Sequence, residues 1–74
     1  MTARFQLEEK LMIAGYEMVR NSIRRRIWVK QENKIVSSVY VFDGSYGYSW
    51  RNGVKQFTDR GRLTYKNVEA LELI

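Results

Sequence analysis

The chain has 74 residues, and thirteen lysines and arginines against eight acidic residues give it a formal net charge of +5. The length predicts one domain over residues 1–74, near the lower limit for a core without disulfides or metal. The absence of Cys and His excludes disulfides, thiolate nucleophiles, imidazole bases and nearly every transition-metal site. We therefore expect no cofactor and a fold stabilised by packing.

The longest apolar runs, 11–15 and 39–42, are too short to cross a bilayer or to form a signal-peptide core. The sequence therefore predicts a cytoplasmic protein with no membrane partner.

The first segment, Thr2 to Gly15, has the spacing of an amphipathic helix. Leu7, Leu11 and Ala14 recur at i, i+4 and i+7 and so share one helical face. Gly15 suits the left-handed position just past a helix end, where the next residue contacts Leu11. We expect the helix to end there.

From Ile23 onward the side-chain pattern repeats every second residue, and this alternation predicts four strands. They are Ile23 to Lys30, Ile35 to Phe42, Ser45 to Arg51 and Val54 to Thr58. Asp43-Gly44 and Asn52-Gly53 are strong hairpin signals between neighbouring strands. The predicted fold class is therefore α+β, with an N-terminal helix, an antiparallel four-stranded β-meander and a short C-terminal helix.

The hairpin dipeptides also predict which residues are opposite each other. The first pairs Val41 with Tyr46 and Val39 with Tyr48, and the second pairs Trp50 with Lys55 and Tyr48 with Phe57. The face that contains these apolar side chains is the predicted core face.

The connection between the first two predicted strands has no such dipeptide. A two- or four-residue loop would set Arg24 and Arg26 against Val41 and Val39 on the core face, where a charge without a partner is costly. A three-residue loop, Glu32 to Lys34, aligns Ile27 with Val39 and keeps the arginines out of the core. We predict the three-residue loop.

The last segment predicts a helix that begins after the N-cap Thr64 and buries Val68, Leu71 and Ile74. The alternation of Leu71 with Leu73 fits a strand equally well, so residues 64–74 keep both alternatives.

With these registers, the face opposite the core is basic and aromatic, which suits phosphate contact and base stacking. The predicted nucleic-acid or partner-binding residues are Arg24, Arg26, Trp28, Lys30, Tyr40, Phe42 and Arg51. The alternative is that these aromatic side chains form a second small core, covered by the C-terminal segment or by another subunit.

A second basic cluster brackets Gly61 in a predicted loop, where backbone amides are also available to an anion. Its members are Lys55, Arg60, Arg62 and Lys66. The alternative is a soluble loop whose charges serve only solubility.

The carboxylates do not cluster on one face, so no acid and base pair is predicted and we expect a protein that is not an enzyme. The leading hypothesis is a binding module for nucleic acid or a nucleoprotein. One alternative is an inhibitor of a host protein, such as a phage anti-defence or anti-CRISPR-type protein. The other is a structural homodimer. The small size is typical of phage and mobile-element products.

Overall fold

A computed structural model describes the backbone of residues 2–52 and 55–73, and the side chains of residues 2–50 and 60–73. The elements in chain order are α1 (Ala3–Ile13), β1 (Glu17–Asn21), β2 (Arg26–Glu32), β3 (Ile35–Val41), β4 (Ser45–Asn52), β5 (Lys55–Arg62) and α2 (Tyr65–Ala70). The strands form one sheet in the order β1-β2-β3-β4-β5, and each neighbouring pair is antiparallel. The two helices and the antiparallel sheet are as predicted, but the sheet has a fifth strand, β1.

Helix α1 is capped at both ends, and it ends where Gly15 predicts. The side chain of Thr2 accepts a hydrogen bond from the Phe5 N–H at 3.1 Å. At the other end Gly15 has φ 95°, and the Tyr16 N–H donates to the Leu11 carbonyl at 3.0 Å. This is the Schellman arrangement. Leu11 and Tyr16 are both buried, so the cap also places two core residues.

The hairpin between β3 and β4 has the predicted register, with Val41 opposite Tyr46 and Val39 opposite Tyr48. Gly44 supplies the positive φ, 79°, in this turn.

The register between β4 and β5 is shifted by two residues from the prediction, since Trp50 lies opposite Phe57 and Asn52 opposite Lys55. A shift of two leaves every residue on its predicted face. Strand β5 also continues through Gly61 to Arg62, so the predicted loop around Gly61 is wrong.

The register between β2 and β3 differs from the prediction by one residue, and this exchanges the two faces of β2. Trp28 lies opposite Val39 and Arg26 opposite Val41, across a two-residue turn. Asn33 in that turn has φ 56°, a conformation that Asn tolerates better than most residues. The predicted three-residue loop is therefore wrong.

The reason is a partner for Arg26 that the strand pattern does not reveal. The Arg26 Nη1 donates to both carboxylate oxygens of Glu8 in α1, at 2.8 and 3.0 Å. Its Nε donates to the Asn21 Oδ1 at 3.1 Å. Because the charge is paired, Arg26 can lie beside the core, and the same register buries the large apolar surface of Trp28.

The core lies between this face of the sheet and the two helices. Its buried apolar members are Leu7, Leu11, Tyr16, Trp28, Val39, Val41, Tyr46, Val68 and Leu71. Helix α2 begins after Thr64, whose side chain accepts from the Asn67 N–H at 3.1 Å. The predicted C-terminal helix is confirmed, and residues 71–73 do not form a strand.

Lys10 connects the two helices. Its ammonium group donates to the Val68 carbonyl at 2.8 Å and to the Leu71 carbonyl, at the end of α2. A cation at the carbonyl end of a helix satisfies acceptors that have no partner within the helix. The contact fixes α2 against α1.

Candidate functional site

The two faces of the sheet are chemically different. Both helices pack on the face that contains Trp28, Val39 and Tyr46, which we call the inner face. The opposite, outer face takes the alternate residues of each strand. By register its central members are Ile27, Val29, Val36, Ser38, Tyr40, Gly47 and Ser49. The described side chains in this group are half-buried and uncharged. The centre of the outer face is therefore an uncharged surface from which side chains protrude only in part.

Three of the predicted binding residues lie on the inner face. Trp28 is only 5% exposed and belongs to the core. Arg26 is held by Glu8, and the half-buried Lys30 lies against Gly15 with its ammonium 3.6 Å from the Glu32 carboxylate. Their predicted placement on a single exposed face with Tyr40 is wrong, because the one-residue register difference turns every β2 side chain over.

Four more of the predicted residues are dispersed. Arg24 is exposed in the bend between β1 and β2 and is not part of a strand, and Lys66 is exposed on α2. Arg51 and Lys55 have described backbone positions at the ends of β4 and β5, but their side chains lie outside the described ones.

The structure brings two predicted groups together at one corner of the outer face. Phe42 follows directly after β3, and Arg60 and Arg62 alternate along β5 opposite Gly47 and Ser45. Phe42, Ser45, Arg60 and Arg62 line one surface cleft of about 560 Å³, together with Gly44, Tyr46 and Gly61. We call Phe42, Ser45, Arg60 and Arg62 the basic corner.

Backbone contacts fix the shape of the basic corner. The Leu63 N–H donates to the Gly44 carbonyl at 2.9 Å and so ties the end of β5 to the β3–β4 turn. The Asn67 Nδ2 donates to the Arg62 carbonyl at 2.8 Å. The Arg62 side chain therefore projects from a backbone that is held at the end of β5.

Gly61 is required for this packing. A Cβ at this position would lie 2.6 Å from the Tyr46 Oη and 2.7 Å from its Cζ. The Tyr46 ring therefore lies directly against the backbone of β5, on the inner face beneath the basic corner. Any larger residue at this position would clash with the Tyr46 ring, which explains why the strand has a glycine here.

Tyr40 lies on the outer face next to the corner. Gly47 separates it from Arg60, since Gly47 is opposite Tyr40 on one side and opposite Arg60 on the other. Gly47 is buried although it has no side chain, so neighbouring groups cover the strand between Tyr40 and Arg60. Tyr40 and Arg60 therefore flank a covered position.

A described carboxylate close to the corner has a partner in α1. The Asp43 carboxylate, in the β3–β4 turn, is largely exposed and lies 3.4 Å from the Arg4 Nη1. The basic corner can therefore bind an anion, and the Phe42 ring can stack on a planar group attached to that anion.

The inner face has a second aromatic group, which the sequence predicts as core. The rings of Tyr46, Tyr48 and Trp50 are stacked along β4, with centroids 6.2 and 4.6 Å apart. Tyr48 and Trp50 are half-buried beside α2 and pack against the core. This prediction is confirmed.

Arg20 is an outer-face residue that the sequence reasoning missed, because the strand that contains it was not predicted. It belongs to β1 and lies opposite Ile27 of β2. Strand β1 is at the edge of the sheet that is far from the basic corner. Residues 17–21 do not alternate between apolar and polar, because a bulge between Met18 and Arg20 interrupts the period, so the sequence contains no strand signal here.

Other kinds of site find no support in the part of the chain that the structure describes. Among the described side chains, those of residues 2–50 and 60–73, no group of three or more carboxylates is placed to hold a metal ion. Neither described helix has the length and apolar character needed to cross a membrane. Comparison with protein-family models, with curated proteins and with solved structures gives no match.

Proposed function

We propose that this protein is a non-enzymatic module that binds single-stranded nucleic acid, alone or in a nucleoprotein, through its outer face. The observation that supports this most directly is the basic corner, where Arg60 and Arg62 line one cleft with the ring of Phe42. Arginine pairs with phosphate through several donors, and aromatic rings stack on bases of any sequence.

The distribution of charge on the outer face supports the same proposal. Among the described side chains, the outer face carries those of Arg20, Arg60 and Arg62 by register, against the carboxylate of Glu17. The positive charges lie toward the two edges of the sheet and the shallow uncharged residues lie between them. A strand laid across the sheet would meet cations at both sides and little steric obstruction in the middle.

The role of each group follows from its position. Arg60 and Arg62 neutralise phosphates at the corner, and Phe42 stacks on a base there. Tyr40, which is half-buried on the same face, provides a second stacking ring beside the corner. Trp28 and Arg26 have structural roles, since the first is in the core and the second is paired with Glu8.

The test is binding of a labelled single-stranded oligonucleotide by the double variant Arg60→Gln/Arg62→Gln. The matched control is Arg24→Gln/Arg25→Gln, which removes the same charge from exposed positions in the β1–β2 bend. We expect the first variant to lose at least about tenfold in affinity at low salt, and the control to lose much less. Equal losses would mean that general charge attraction, and not the corner, determines binding.

A second candidate function is inhibition of a host protein, which the exposed apolar side chains of α1 favour. Phe5, Met12 and Ile13 are more than half exposed. Large exposed apolar groups are typical of protein interfaces. An interface of that kind weakens little with salt, whereas phosphate binding weakens steeply. The absence of oligonucleotide binding at low salt would leave this second candidate.

A further inference from the structure

Strand β1 is an outermost strand of the described sheet, and its exposure is unusual. All five residues from Glu17 to Asn21 are exposed. They include Met18 at 43% and Val19 at 62%, and Ile23, just beyond the strand, is 98% exposed. An edge strand with exposed apolar residues is a template for pairing with another strand.

The bulge in β1 gives this edge a particular arrangement of charge. Glu17 lies opposite Val29 and Arg20 opposite Ile27, so both belong to the outer face. In a regular strand, residues three apart point to opposite faces. The surplus residue between Met18 and Arg20 brings the two opposite charges onto one face, with two residues between them.

This arrangement is complementary to itself. When two copies of β1 pair antiparallel about a two-fold axis between Met18 and Val19, Glu17 of each copy lies opposite Arg20 of the other. A two-fold axis perpendicular to the sheet keeps both outer faces on the same side, so these side chains are cross-strand neighbours. Within the described residues, neither Glu17 nor Arg20 makes an ion pair in the isolated chain.

The bulge also favours a second copy over an ordinary strand. A bulge usually blunts an edge, because the neighbouring strand lacks the surplus residue. A second copy of β1 has the same extra residue. In this register, each of the two strands has Met18 and Val19 between its Glu17 and its Arg20, so the two strands match in length. Met18 of one copy then lies beside Val19 of the other, which covers the exposed apolar part of the edge.

We propose that β1 is a homodimerisation edge, through which two copies of this chain form one continuous ten-stranded sheet. The outer faces of the two copies become a single surface, and the basic corners lie at its two far ends, on β5. This inference rests on β1 alone and holds whether or not the outer face binds nucleic acid.

The test is a charge-reversal series measured by sedimentation velocity over a range of protein concentrations. Glu17→Arg sets two arginines against each other across the edge, and Arg20→Glu sets two glutamates. We expect each single variant to dimerise at least about tenfold more weakly than the wild type. The double variant Glu17→Arg/Arg20→Glu restores opposite charges in the same register, and we expect it to regain the wild-type dimer. Glu9→Arg, at an exposed position of α1, is the control and should dimerise normally.

Several outcomes would overturn the proposal. A wild-type chain that is monomeric at every concentration would do so, and so would single variants that dimerise like the wild type. A double variant as weak as the single ones, with circular dichroism showing that it is folded, would exclude the pairing of Glu17 with Arg20. A dimer that Tyr40→Asp disrupts and Glu17→Arg does not would place the interface on the outer face instead.

Discussion

Replacing Glu8 by alanine removes the carboxylate that holds Arg26 on the inner face of the sheet. The two groups meet at 2.8 Å, and their side chains are 12% and 33% exposed, respectively. After the substitution, Arg26 would remain next to Val41. Of Glu8 and Asn21, which accept its hydrogen bonds, only Asn21 would be left. The change therefore tests the register on which the assignment of the two faces depends.

The expected cost lies between the values for buried and exposed ion pairs. Breaking a fully buried pair costs about 3–5 kcal/mol, whereas an exposed pair contributes about 0.2–1 kcal/mol. Because Arg26 is one-third exposed, we expect Glu8→Ala to lower the free energy of unfolding by about 1.5 kcal/mol. For a chain of this size, that corresponds to a fall in Tm of about 10 °C.

The assay is a double-mutant cycle of Glu8→Ala and Arg26→Ala, measured by urea denaturation and followed by circular dichroism. Glu9→Ala is the matched control, because Glu9 is exposed on the same helix, and it should change stability by less than about 0.5 kcal/mol. We expect a coupling energy of about 1 kcal/mol or more between Glu8 and Arg26. Additive effects, or equal effects of Glu8→Ala and Glu9→Ala, would refute the observed register and favour the three-residue loop.

Three further substitutions test the packing around the site. Lys10→Met removes the ammonium that caps α2, and we expect a loss of about 1.5 kcal/mol in the free energy of unfolding by urea denaturation. Gly61→Ala drives a Cβ into the ring of Tyr46, and thermal denaturation should show a loss of about 2 kcal/mol, while an unchanged Tm would contradict the contact. Trp28→Phe removes core volume and should cost about 1–2 kcal/mol without changing oligonucleotide affinity. A selective loss of affinity in this last variant would contradict the structural role of Trp28.

The features that the sequence predicts correctly depend on neighbours along the chain. The end of α1 is predictable because Gly15 and Leu11 define one local motif. The β3–β4 register is predictable because a short turn at Asp43-Gly44 determines which residues are opposite. The C-terminal helix likewise follows from its N-cap, Thr64.

The features that the sequence does not predict depend on contacts between distant segments. The β2–β3 register is decided by Glu8, which lies in α1, and the alternation of residues within the strands contains no trace of that contact. Strand β1 has no buried face, so its sequence lacks the alternation that marks a half-buried strand.

The sequence predicts the candidate site only in part, for the same reason. It places Tyr40 and Phe42 on the face opposite the core, and β3 has Tyr40 there. It also predicts Arg60 and Arg62 as a basic cluster but places them in a loop, because Gly61 resembles a turn residue. The Tyr46 ring that occupies the space beside Gly61 becomes visible only in the folded chain.

The most direct test of the proposed function is the salt dependence of single-strand binding by the wild type and the Arg60→Gln/Arg62→Gln variant. Affinity is measured by fluorescence anisotropy between about 50 and about 200 mM salt. If both arginines neutralise phosphates, the slope of log affinity against log salt falls in magnitude by about 1.4 in the variant, while Arg24→Gln/Arg25→Gln keeps the wild-type slope. A slope that is unchanged in the corner variant, or no binding by the wild type at the lowest salt, would contradict the proposal.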